Sequence, residues 1–222
     1  EGGHIITIED PIEYNLDSIS QIQVSNKKGL TFASGLRTLM RQDPDVMMVG
    51  EIRDMETAGI AVQASNTGHL VFSTLHTNDS AGAVTRMIDL GVEPYLVSSS
   101  LIGVVAQRLV RVICQRCREA YDPEESELKS LGLLREQLLD GKLHRGRGCD
   151  ACLGRGYYDR TAIYEILTIN ETIRDQIIGR TSASVIKQVA VESGHLTTLR
   201  MDGARKVAQG ITTTEEVFRV TQ

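Results

Sequence analysis

Apolar residues in this chain follow two kinds of spacing. Ile5 to Ile8, Val46 to Val49 and Leu70 to Phe72 are short continuous runs suited to strands buried on both faces. Between them, apolar positions recur every three or four residues. Phe32, Leu36, Leu39 and Met40 do so behind Thr31, a residue type that caps helix N-termini, and Pro44 closes that helix. Asp54 is placed to cap the next one, whose inner face of Ala58, Ala61, Val62 and Ser65 is made of small side chains. A further helix runs from Ser80 through Val84, Met87 and Ile88 until Gly91 and Pro94 stop it. Apolar strands separated by helices predict an α/β fold whose parallel sheet is covered on both sides.

The second half reads differently. Leu128, Leu131, Leu134 and Leu138 fall at roughly helical spacing within Glu124 to Leu139, which predicts a small helix. The segment GRGYYDRTAIYEIL, Gly154 to Leu167, leads into a short strand or a helix start, with Tyr157, Tyr158 and Tyr164 as packing residues. Beyond Asn170 the pattern is helical through Ile173, Ile177 and Ile178, then Val185, Ile186, Val189 and Ala190. Thr212 and Glu215 have the T-x-x-E spacing of a capping box for a final helix.

Composition narrows the classes. A chain of 222 residues with 41% hydrophobic content can bury one large core or two small ones. Its 24 basic and 29 acidic residues give a net charge of −5 with no Lys/Arg block, which argues against nucleic acid held by charge. No run of about 18 apolar residues occurs, so a membrane role would be peripheral. The chain starts at Glu1, without an initiator Met, inside a strand pattern, and reads as the downstream part of a longer protein.

Candidate chemistry gathers at the strand ends. In an open parallel α/β sheet, ligands bind beyond the carboxyl ends of the strands. Glu9 and Asp10 follow the first run, Glu51 the second and His76 the third. One such carboxylate is ordinarily a solvated strand terminus, but three polar endings on one edge point to a site. Paired carboxylates suit Mg²⁺ with its waters or a base that orients water, and a nearby His can sense a phosphate. His69 stands at the start of its strand, away from that edge, and reads as structural. Arg53 reads as an ion-pair partner of Asp54 or another acid, with a phosphate role as the alternative.

The four cysteines form two C-x-x-C pairs, Cys114 with Cys117 and Cys149 with Cys152, separated by 31 residues. Four thiolates complete a tetrahedral structural Zn²⁺ site. Two disulfides or four buried thiols are the alternatives. The long gap is no obstacle, because loop closure costs only about 0.6 kcal/mol per doubling of length.

Several segments together resemble a known family. TIEDPIEY (Thr7 to Tyr14), LRTLMRQDPDVMMVGEIRD (Leu36 to Asp54), TGHLVFSTLHTND (Thr67 to Asp79) and AQRLVRVIC (Ala106 to Cys114) look like the aspartate box, Walker B region, histidine box and following segment of the secretion ATPase superfamily. The resemblance is greatest to the type II secretion ATPases, with the type IV pilus extension ATPases as the alternative. It implies a RecA-like core and a homo-hexamer that hydrolyses Mg-ATP. Such a motor is cytoplasmic, peripheral to the inner membrane, and works on platform and adaptor proteins to assemble a pseudopilus. By the resemblance Glu51 is the catalytic glutamate, Glu9 and Asp10 act near metal and phosphates, and His76, with His69, belongs to the histidine box. The expected organisation is a partial ATPase core over 1–112, a tetracysteine module over 113–160 and a helical region over 161–222. No G-x-x-x-x-G-K-[ST] phosphate loop occurs in the 222 residues, so the chain alone is expected to be inactive, or to be a zinc-binding scaffold.

Overall fold

A computed structural model describes residues 3–221. The chain divides into two compact units, one formed by Glu1–Ile102 with Ile169–Val189 and the other by Gly103–Thr168 with Ala190–Gln222. The expected cuts at 112/113 and 160/161 fall instead inside two long strands of the second unit.

The first unit is built on four parallel strands in the order β2-β1-β3-β4: β1 (Ile5–Glu9), β2 (Ser20–Gln23), β3 (Val46–Val49) and β4 (Leu70–Ser73). Helices α1 (Phe32–Leu39) and α2 (Met55–Asn66) form where the apolar spacing predicts. Thr31 caps α1 reciprocally with Ser34, and the Asp54 carboxylate accepts from Thr57 N at 2.8 Å, a cap that typically stabilises by about 1 kcal/mol. One face of the sheet, with Ile6, Ile8, Met47 and Val49, is buried. Full burial of each such side chain stabilises by about 1.5–3 kcal/mol.

The other face differs from the expectation of cover on both sides. Along the register Thr7↔Met48↔Phe72, exposure rises from 5% at Thr7, through half-buried Met48, to 55% at Phe72. Leu70 is exposed as well. An apolar run marks a strand but does not say what lies over it, and β4 is one of the two edge strands of this sheet. Asp79 caps α3 (Ser80–Asp89), and Pro94, expected only to stop that helix, opens α4 (Pro94–Ser100). A proline at the first helical position gives up only an N–H that would be unpaired there anyway.

The second unit centres on an antiparallel pair, β5 (Gly103–Ile113) with β8 (Tyr157–Thr168), and a two-stranded ribbon of β6 (Arg118–Tyr121) and β7 (Leu143–Gly146). The Leu-rich stretch becomes a shorter helix than its spacing suggests, α5 (Glu125–Leu131). Gly132, at φ 67°, ends it in the left-handed conformation that glycine adopts without strain, and Leu134 beyond is 61% exposed. GRGYYDRTAIYEIL is a long strand, whose two-residue alternation buries Ile163, Glu165 and Leu167 and turns Tyr164 and Ile166 outward. Tyr158 is exposed too, so only Tyr157 fulfils the packing role expected of the three tyrosines.

After Thr168 the chain returns to the first unit with α6 (Glu171–Ile178), capped by Asn170, and with the start of α7 (Ala183–Glu192). Strand β9 (Leu196–Thr197), helix α8 (Leu199–Ala208) and helix α9 (Thr214–Val220) complete the second. A core of Leu128, Leu131, Leu138, Leu143, Val207 and Val217 packs α5, α8 and α9 together. The cap of α9 lies one residue later than Thr212, at Thr213 and Glu216, which have the same T-x-x-E spacing. Thr213 Oγ1 accepts from Glu216 N at 3.3 Å, while the buried Thr212 hydroxyl donates to Arg111 O at 2.8 Å. A buried hydroxyl needs a partner, and β5 supplies it.

The Glu216 carboxylate is wholly buried. It accepts from Arg111 N at 2.9 Å, Arg111 Nη2 at 2.6 Å, and Arg219 Nε and Nη2 at 2.9 Å each. Arg111 also lies over the Tyr157 ring, 4.1 Å from its centre.

Candidate active site and metal centre

In the first unit, bonds beyond the ladder tie the ends of three strands together. Gly50 N donates to Ile8 O at 2.8 Å, Ile52 N to Thr74 O at 3.0 Å, and Thr74 Oγ1 to Gly50 O at 2.6 Å. Glu51 is thereby fixed between the ends of β1 and β4. Its carboxylate Oε2 accepts from Arg53 Nε and lies 3.0 Å from His76 Nε2. The Arg53 guanidinium holds the Glu51 carboxyl below its ordinary value; burial opposes this and His76 assists it. The acid that pairs with Arg53 is thus Glu51 and not Asp54, whose carboxylate is spent on the cap of α2.

A pocket of about 290 Å³ opens at this edge, lined by Glu9, Asp10, Glu51, Arg53 and His76 together with Phe32, Met48 and Thr74. Five of the six residues expected at the nucleotide site therefore share it. His69 does not. Its Nδ1 lies 3.1 Å from both Ala64 O and Thr67 Oγ1, where the chain leaves α2 at the opposite end of β4. An ionised carboxylate with two further carboxylates beside it can orient water or take part in holding a cation.

The residues that orient Glu9 were missed in the sequence. Its Oε1 accepts from Thr7 Oγ1 at 2.5 Å and from Gln21 Nε2 at 2.9 Å. Thr7 stands two residues before Glu9, on the same strand face, and could have been found by alternation. Gln21 arrives through the parallel pairing of Thr7 with Gln21, which no local pattern announces.

The second unit assembles all four cysteines. Their sulfurs lie within 4.8 Å of one another, with Cys114–Cys149 at 3.9 Å and both Cys117–Cys152 and Cys149–Cys152 at 3.8 Å. These separations are far beyond a disulfide bond of about 2.05 Å. Four sulfurs placed about 2.3 Å from a tetrahedral zinc ion would be about 3.8 Å apart, so the donor set and its spacing fit that ion. Cys117 Sγ accepts from Gly148 N at 3.3 Å, and Cys152 Sγ from Cys149 N and Gly156 N at 3.2 Å each. Burial opposes a charge at both sulfurs and pushes the Cys117 thiol up, while the two N–H groups on Cys152 bring its thiol below the ordinary value. The chain on either side of the Cys149–Cys152 turn approaches itself too closely for side chains. A Cβ on Gly146 would sit 2.0 Å from Gly156 O.

Comparison with known proteins supplies the context. The family description "Type II/IV secretion system protein" matches residues 1–219. The chain belongs to that family. It is 53% identical over 219 residues to type II secretion system protein E of Pseudomonas aeruginosa, covering 99% of this chain and 43% of the relative. It is 51% identical over 212 residues to the type IV pilus assembly ATPase PilB of Thermus thermophilus, covering 96% of this chain and 24% of that protein. The chain thus spans less than half the length of these family members. Among solved structures, the pilus retraction motor PilT with bound ADP superposes with a TM-score of 0.70 at 29% identity, over 99% of this chain and 53% of the motor. The α/β class with a parallel sheet and a tetracysteine cluster agrees with the expectation from the sequence.

Proposed function

We propose that the chain is the water-activating and metal-bearing part of a hexameric, Mg-dependent ATPase that powers type II protein secretion at the cytoplasmic face of the inner membrane. The observation that carries this reading is the convergence of Glu51, His76, Glu9 and Asp10 on one pocket at the carboxyl ends of three parallel strands. Glu51 orients the attacking water, Glu9 and Asp10 act beside Mg²⁺ and the phosphates, and His76 with Arg53 senses the terminal phosphate. The tetracysteine cluster holds a structural zinc ion that fixes the turns before β6 and β8. A peripheral association is consistent with the described residues, among which no helix is long and apolar enough to cross a membrane.

In the full-length protein, Glu51→Gln is expected to leave ATP binding intact and to lower turnover by roughly 10²-fold or more, measured as phosphate release. Near-normal turnover would overturn the assignment. The 222-residue chain has no phosphate loop of its own and is expected to show neither turnover nor micromolar affinity for Mg-ATP in calorimetric titration. Pilus extension is the second reading, favoured by the 51% identity to a pilus assembly ATPase. Complementing strains that lack one or the other motor separates the two.

A further inference from the structure

The four sulfurs of the cysteine cluster are not equivalent. Cys114, Cys117 and Cys152 are buried, whereas Cys149 is partly open to solvent. Cys117 and Cys152 each accept backbone N–H bonds, while among the described residues none reaches the Cys149 sulfur, whose bonding distances are only to Cys114 and Cys152. An N–H directed at a thiolate stabilises its charge and lowers its nucleophilicity. Among the described residues Cys114 receives no such bond either, but it is only 3% exposed. Cys149 alone combines access with an electron pair that no N–H restrains. It sits at the start of a turn whose neighbours Asp150, Leu153 and Gly154 are exposed.

We propose that Cys149 is the modification site of the cluster, the ligand that peroxides and soft alkylating agents attack first and through which the metal centre is opened. The inference rests on the tetrathiolate reading above. With hydrogen peroxide, the Cys149 sulfur attacks one oxygen. An S–O bond forms as the O–O bond breaks, hydroxide departs, the sulfur loses two electrons and the peroxide gains them. With iodoacetamide, an S–C bond forms and iodide leaves. Either product removes one of four charged donors and leaves Cys114, Cys117 and Cys152, too few for a closed structural site. Cys149 thus couples the chemical state of one partly exposed sulfur to the fold of the turns before β6 and β8.

The test uses the purified full-length protein with its metal content measured beforehand. It is treated with limiting iodoacetamide and, separately, with hydrogen peroxide followed by a sulfenic-acid-trapping reagent. Peptide mass spectrometry then follows each cysteine, and a chromogenic chelator follows zinc release. Modification of Cys149 is expected to run about tenfold ahead of Cys117 and Cys152, in step with zinc release. Uniform labelling of a zinc-bearing protein, or Cys114 reacting first, would overturn the proposal while leaving the metal assignment standing. Protein that carries no zinc would overturn the tetrathiolate reading and the proposal with it.

Discussion

Glu216→Gln probes a wholly buried charge of the second unit. The wild-type carboxyl is buried, and burial by itself would raise its pKa, but Arg219 and Arg111 together bring it from 4.5 down to about 2. A depression of that size is equivalent to about 3 kcal/mol of stability held by the ionised form. Because the folded value lies below the unfolded one, this contribution is fully present above about pH 4.5 and is lost as pH falls toward 2. Gln keeps an acceptor for Arg111 N but leaves two guanidinium groups without a countercharge, both partly exposed and able to take water instead. The variant is therefore expected to be about 2–3 kcal/mol less stable than wild type at pH 7, less than the roughly 3–5 kcal/mol for breaking a fully buried ion pair because both guanidinium groups can take water. Urea unfolding of both proteins, followed by circular dichroism from pH 7 to pH 2, measures the gap, and comparing them at each pH cancels any common loss of metal. The gap should shrink steadily below pH 4.5 and nearly close at pH 2. A constant gap across that range would show that the loss comes from packing or hydrogen bonding, and would refute the electrostatic account.

Two further expectations follow from shape. Phe72 and Leu70 lie exposed on the edge strand β4, so the purified 222-residue chain should self-associate through that edge, and Phe72→Lys should lower its scattering mass toward that of a monomer; a wild-type chain that is monomeric at high concentration would contradict this. Gly146→Ala places a Cβ 2.0 Å from Gly156 O and must spread the turns that carry Cys149 and Cys152. Metal content should fall well below about one zinc per chain, with a lower melting temperature, and an unchanged metal content would show that the close glycine approach is dispensable.

What the sequence determined by itself was local and repetitive. Short apolar runs marked β1 and β3, and Thr31 and Asp54 announced their helices because a capping side chain bonds only two or three residues ahead. That Glu9, Glu51 and His76 meet at one edge was legible because parallel topology brings carboxyl ends together, and that the cysteines cluster was legible because two C-x-x-C pairs match a four-thiolate set. What the sequence could not supply depended on partners distant along the chain. Leu70 and Phe72 read as core from composition, yet their exposure is set by the elements packed over β4. Gln21 reaches Glu9 only through strand register, and Arg53 chooses Glu51 over its neighbour Asp54 because α2 already uses Asp54 as its cap. Thr212 left the capping role to Thr213 and donates instead to Arg111 O, and the Glu216 carboxylate accepts from Arg111 N, more than a hundred residues earlier. Burial without a partner costs a polar group about 1–3 kcal/mol against the ~1 kcal/mol that a local cap typically returns, so tertiary contacts decided its place.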